Sequence, residues 1–109
     1  MDPAAADLDE LRELAVVDRS DRRRYELLAG ERVLGYADYR AVEGAVVLPH
    51  TVIDPGLRGR GLGDVLVAGA LADLRSRGLR VVPSCWFVAE YLERHPGSAD
   101  IAEPGVGSM

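Results

Sequence analysis

The stretch Asp54-Pro-Gly-Leu-Arg-Gly-Arg-Gly-Leu-Gly-Asp64 joins an apolar, β-branched run, Ala45 to Ile53, to an apolar helical pattern from Leu62 to Leu74. Strand, glycine-rich turn and helix together make an arrangement that grips phosphate. Glycines let the backbone come close to a ligand. The first N–H groups of a helix have no partner within it and point at whatever lies in front. The helix dipole adds about half a positive charge there. Arg58 and Arg60 add full charges, and guanidinium forks match phosphate oxygens. The plainer alternative is a turn that only caps a helix. Three glycines at alternate positions (59, 61 and 63) beside two arginines are more than a cap requires.

Two familiar phosphate motifs fail on inspection. A Walker loop needs Gly-x-x-x-x-Gly-Lys-Ser/Thr. From Gly56 the second glycine falls at Gly61, but Leu62-Gly63 stands where Lys-Ser/Thr is required. A dinucleotide fingerprint needs Gly-x-Gly-x-x-Gly. Gly59 and Gly61 begin it, and Asp64 breaks it. What fits is Arg58-x-x-Gly61-x-Gly63 at a helix start. That pattern resembles the pyrophosphate loop of the GNAT superfamily of acyl-CoA N-acyltransferases.

Working outward, the 109 residues suit one domain with one core. Apolar content is 48% and aromatic content 6%, so the core should be aliphatic. No apolar run approaches the ~20 residues of a membrane helix. Met1-Asp-Pro-Ala-Ala-Ala lacks a basic leader region, and a single cysteine excludes an internal disulfide. A cytoplasmic protein without a metal cluster is expected. The net charge of −5 is unevenly spread. Residues 14–95 hold 11 acids and 12 arginines, whereas the remaining residues hold seven acids and one arginine. The folded part is therefore close to neutral, which argues against a nucleic-acid footprint. Arg22-Arg23-Arg24 is the one basic cluster, and a solvated turn accounts for it. The chain has no lysine, so any lysine acylated by it belongs to another molecule.

Three segments are expected: an acidic, partly disordered 1–13, a domain over 14–97, and a flexible tail over 98–109. Leu8, Leu11 and Leu14 have the spacing of one or two helical turns, and Ala15-Val-Val17 could equally begin a strand. Tyr25–Leu28 and Arg32–Tyr39 read as a hairpin about Ala29-Gly30-Glu31. Gly35, in mid-strand, marks a bulge or a close contact. Ala45–Ile53 is the third antiparallel strand, and Pro49 belongs at a bulge or where a neighbouring strand has peeled away. Leu66, Val67, Ala70, Leu71 and Leu74 form the apolar stripe of a helix that Gly78 closes. Leu79–Val82 is a strand parallel to the third. Ser84 can cap a last helix running to about Arg94, with Phe87, Tyr91 and Leu92 on one side.

A second block strengthens the resemblance. His50-Thr51-Val52-Ile53-Asp54-Pro55 precedes the glycine loop, and Pro83-Ser-Cys85-Trp-Phe-Val-Ala-Glu-Tyr91-Leu-Glu-Arg-His95-Pro96 follows it. In that order the blocks look like the short, YjdJ-like subgroup of GNAT proteins, over roughly residues 24–96. The resemblance implies an α/β (α+β), GNAT-like fold. Its mixed, mostly antiparallel sheet would carry a central CoA-binding helix and a short C-terminal helix. It also implies acetyl-CoA as co-substrate, an amine acceptor, and a monomer or homodimer. Backbone of Arg58, Gly59, Arg60, Gly61, Leu62 and Gly63 would hold the pyrophosphate. Main chain of Thr51, Val52 and Ile53 would run along the pantetheine, in a slot where two strands splay. One departure matters: the subgroup commonly has an acidic residue after His-Thr, and here Val52 stands there, so that carboxylate base is absent.

Three residues are candidates for chemistry. Cys85 follows a strand and precedes a helix, where a thiol can act as nucleophile; as a lone cysteine it can equally be a small buried apolar residue. His50, at the strand end facing the slot, could be a general base or the partner of Cys85, or a packed histidine. Tyr91 is about where GNAT enzymes place a tyrosine that protonates the leaving thiolate; otherwise it packs in the core. His95 reads as a structural cap, and Trp86 and Phe87 as core or slot wall. The rival to an acetyltransferase is a CoA-binding or protein-interaction module without turnover.

Overall fold

Short turns and alternating apolar residues carry the chain through four consecutive strands. The computed structural model describes residues 14–102: β1 (Leu14–Arg19), β2 (Arg24–Ala29), β3 (Arg32–Val42) and β4 (Ala45–Ile53), each antiparallel to the next. A helix, α1 (Leu62–Ser76), crosses over to β5 (Arg80–Val82), which pairs parallel with β4, and α2 (Trp86–Arg94) follows. The sheet order is β1-β2-β3-β4-β5. This is the mixed, mostly antiparallel α+β arrangement expected from the sequence. The expected three antiparallel strands are four. Leu14 begins β1 rather than ending a helix; residues 8–13 lie outside the described part.

Register assigns the two faces of the sheet. Val16, Leu27, Gly35 and Ile53 lie abreast across four strands, as do Asp18, Tyr25, Ala37 and Thr51. α1 lies on that face. All five stripe residues, Leu66, Val67, Ala70, Leu71 and Leu74, are buried in one core with Leu27, Val46, Leu48 and Val81. Burying each such leucine contributes about 1.5–3 kcal/mol. Close approach requires a glycine twice here. A Cβ on Gly69 would meet Val16 at 2.4 Å, and one on Gly35 would meet the Val52 carbonyl oxygen at 2.5 Å. The second case meets the contact expected at Gly35.

Polar groups link α1 to the sheet edge. The Tyr25 hydroxyl donates to Asp73 at 2.6 Å and the Tyr39 hydroxyl to Asp18 at 2.6 Å. Arg77 bridges both carboxylates. Burial, then the Asp18 carboxylate, push the Tyr39 hydroxyl up to about 12. On the opposite face Glu26 is 1% exposed, and Arg19, Arg22 and Arg24 clasp it. The expected solvated turn over 22–24 is therefore partly a clasp for a buried carboxylate. Past residue 97 the chain still belongs to the fold. A 3-10 segment, Pro96–Ile101, buries Ile101 in the core, and Ala102 bridges to Val81. No helix among the described residues is long and apolar enough to cross a membrane.

Candidate functional site

The site forms where β4 and β5 part. They pair over three residues only, Ala45–Val47 with Arg80–Val82, and one further bond runs from the Cys85 N–H to the Leu48 carbonyl at 3.1 Å. Beyond it the chain turns into α2, and β4 continues alone against β3. Pro49 sits at this point, inside a bulge: Asp38 pairs with His50 and Arg40 with Val47, so Leu48 and Pro49 together oppose Tyr39. A proline is accommodated there because it has no N–H to leave unpaired.

The bulge determines which groups face the opening. The Asp54 N–H donates to the Leu34 carbonyl at 2.9 Å, towards β3. Antiparallel alternation then aims the backbone of Val52 at β3, and that of Thr51 and Ile53 at the free edge. Side chains alternate as well. Thr51 and Ile53 lie on the helix face, and His50 and Val52 on the other.

A cavity of about 590 Å³ lies between this edge and the helices. Its lining includes eight of the nine residues expected to hold CoA: Thr51, Val52, Ile53, Arg58, Gly59, Gly61, Leu62 and Gly63. Arg60 is outside it. Leu57 closes the floor, on a 3-10 turn (Pro55–Leu57) whose first N–H groups Asp54 caps by accepting from Gly56 at 2.9 Å. Trp86 and Phe87 form the α2 wall, with Asp64 and Arg94 at the rim.

The glycines of the loop have different duties. Gly59 and Gly61 have φ of +83° and +77°, with nothing within 4 Å of a would-be Cβ. They set the backbone path and keep its outer side bare. Gly61 is also the N-cap of α1 and, being glycine, offers no side chain to the N–H groups of the first turn. The first intrahelical bond is Val65 N–H to Gly61 C=O, at 3.3 Å. The N–H groups of Leu62, Gly63 and Asp64 thus lack helical acceptors and open towards the cavity, as an anion site requires. Gly63 is different. It is buried inside the helix, and a Cβ there would meet the Phe87 ring at 2.5 Å. It lets α2 pack against α1, which a loop motif read by spacing alone did not reveal.

Asp64 places a carboxylate in that first turn, where it would repel a phosphate. Arg94 neutralises it through two hydrogen bonds of 2.9 and 3.0 Å. This pairing, ahead of partial burial, holds the Asp64 carboxyl below the usual range and raises Arg94. Thirty residues separate the two, so no local pattern could have flagged the pair.

The three catalytic candidates are not gathered around the cavity. Cys85 is the N-cap of α2 and buried; its thiol lies 3.8 Å from the Thr51 hydroxyl, behind the lining. The expected cap, Ser84, makes no such start. His50 points to the far sheet face, with Nδ1 3.7 Å from Asp38, so it is not brought to Cys85. Tyr91 is buried on α2, one turn beyond Phe87, and stacks on His95 with ring centres 4.1 Å apart. Trp86, expected as core or wall, is wall: 74% of it is exposed. Among the described residues no group of three His, Cys, Asp or Glu could hold a metal ion.

An antiparallel sheet that opens against a parallel fifth strand, with a glycine-capped helix aimed into the gap, is the arrangement of a GNAT-like fold. The model of the GCN5-related N-acetyl-transferase family matches residues 24–101, and the chain belongs to that family. Members generally use acetyl-CoA as co-substrate. In fold the chain is similar to a GCN5-like protein of Staphylococcus aureus solved by NMR in solution. That structure gives a TM-score of 0.64 at 22% identity over 84% of this chain and 89% of the other. No curated protein matches the chain.

Proposed function

We propose that this protein transfers an acetyl group from acetyl-CoA to an amine. The observation that carries the reading is the open first turn of α1. Three N–H groups without helical acceptors face a cavity that continues along an unpaired strand edge. The diphosphate lies against the N–H groups of Leu62, Gly63 and Asp64 and the bare backbone of Gly59 and Gly61, with Arg58 adding charge. The amides of the pantetheine arm pair with Thr51 and Ile53 as an added strand would. An N–H of this edge polarises the thioester carbonyl and stabilises the oxyanion. The amine nitrogen attacks that carbonyl carbon, the C–S bond breaks, and the thiolate takes a proton, for which Tyr91 is the candidate donor. His50 with Asp38 is the candidate base for an amine that reaches the gap from the far face of the sheet. In a two-step variant the Cys85 thiolate attacks first and the amine then attacks the resulting thioester.

The second reading is a CoA-binding module without turnover. It is favoured by the position of the three candidates, none of which lines the cavity. Radiolabelled acetyl-CoA separates the readings. Label retained on precipitated protein and lost in Cys85→Ala supports the two-step route. Transfer to a panel of amines without protein label supports direct attack. Saturable CoA binding with neither result supports the module.

A further inference from the structure

We propose that the indole of Trp86 closes over the pantetheine arm of the bound acyl-CoA and sets its affinity. This rests on the acyl-CoA reading above. Trp86 is the most exposed large apolar side chain among the described residues, at 74%. A tryptophan that bare at the rim of a cavity offers apolar surface that a ligand can cover. Its base is nevertheless held. The Cys85 N–H bond to Leu48 fixes the helix start, and the Phe87 ring meets the indole edge-on, with centres 5.9 Å apart. Phe87 in turn packs on Gly63 of α1.

Position selects which part of the ligand it meets. The phosphate end is the α1 mouth, at Arg58 to Gly63. The thioester end is the β4 edge, where Thr51 stands 3.8 Å from the thiol of Cys85. Trp86 lines the cavity between two anchors. Its neighbour Cys85 reaches Thr51 at the thioester end, and the Phe87 ring it touches reaches Gly63 at the phosphate end. That places the indole between the two rather than beyond the phosphates, where the adenine would lie. The apolar side chains of the cavity on the helix side, Ile53, Leu57 and Phe87, suit methylene groups rather than charge.

Trp86 is the single tryptophan of the chain, so its emission reports this contact alone. The test titrates CoA, and ADP as a diphosphate without the arm, following tryptophan emission and calorimetric heat together. CoA should shift the emission to the blue as it saturates, whereas ADP should bind without that shift. Trp86→Ala should weaken CoA by roughly tenfold with ADP unaffected, and Trp86→Phe should restore most of the loss. Saturating heat with unchanged emission, or CoA binding to Trp86→Ala at parental strength, would overturn the proposal and leave the acyl-CoA reading standing. Neither heat nor an emission change on titrating the parent protein with CoA would overturn both.

Discussion

Replacing Gly63 by alanine tests the junction between the two helices on which the cavity depends. Gly63 is helical, so its backbone tolerates any L residue. Alanine even gains up to about 1 kcal/mol of helix propensity. Against this stands the new methyl, 2.5 Å from Cζ of Phe87 and 3.1 and 3.2 Å from its Cε atoms. Ordinary contact lies near 3.5–4 Å, so the ring must retreat by about 1 Å. Its retreat is hindered by Trp86 on its edge. Overpacking of this kind typically costs about 1–3 kcal/mol. The net expectation is a loss of about 1–2 kcal/mol, a fall in Tm of about 4–15 °C for a chain of this size. Thermal and denaturant unfolding measure it. In a Phe87→Leu background the obstacle is gone, and Gly63→Ala should then be neutral or slightly stabilising. If Gly63→Ala stabilises the parent, or if the two substitutions add without coupling, the account of this junction is wrong.

Further outcomes follow from other residues. Gly61→Ala has open space but a φ of +77°, so stability should fall by about 1–2 kcal/mol, and CoA affinity should fall as well because the Cβ stands on the bare side of the loop. Unfolding and calorimetry read the two effects separately. Tyr25→Phe removes the hydroxyl that Asp73 accepts at 2.6 Å, and denaturant unfolding should register a loss of about 1–2 kcal/mol. Glu26 is pulled two ways: burial raises its pKa, but the hydrogen bonds from Arg24 and Arg19 prevail and hold it below its ordinary value. Its contribution is then present above the unfolded-state pKa, near 4.5, and disappears as pH falls through the lower folded value. At pH 7 Glu26→Gln should be less stable than the parent by about 2–3 kcal/mol. Unfolding at a series of pH values should show that gap closing below pH ~4.5.

Local patterns made part of the molecule legible in advance. The α1 stripe needs only a 3.6-residue period, and the loop motif only spacing, so both could be read directly. β1 was ambiguous because Ala15-Val-Val17 is too short to separate helix from strand. What makes it a strand is pairing with β2, a tertiary fact. His50 shows how one residue can reverse a site. Val46 and Leu48 face the core, so simple alternation puts His50 there next. The bulge at Leu48-Pro49 inserts one residue, and Thr51 takes that place while His50 turns to the other face. Pro49 signalled the bulge but not its effect on parity. The start of α2 is likewise set from a distance: Cys85, not Ser84, is fixed there, by a bond to Leu48, 37 residues earlier. Asp64 with Arg94, and Gly63 with Phe87, are contacts across the fold that no window of sequence displays.

The central claim is that the backbone N–H groups at the α1 mouth take the diphosphate of CoA. Glycine amides resolve well by NMR and lie both inside and outside the site. On titration with CoA, the amide signals of Gly59, Gly61 and Gly63 should move together and saturate, while those of Gly30, Gly44 and Gly78, in turns away from the cavity, stay in place. Movement at the outer glycines with the loop unmoved, or no movement at saturating CoA, would contradict the claim.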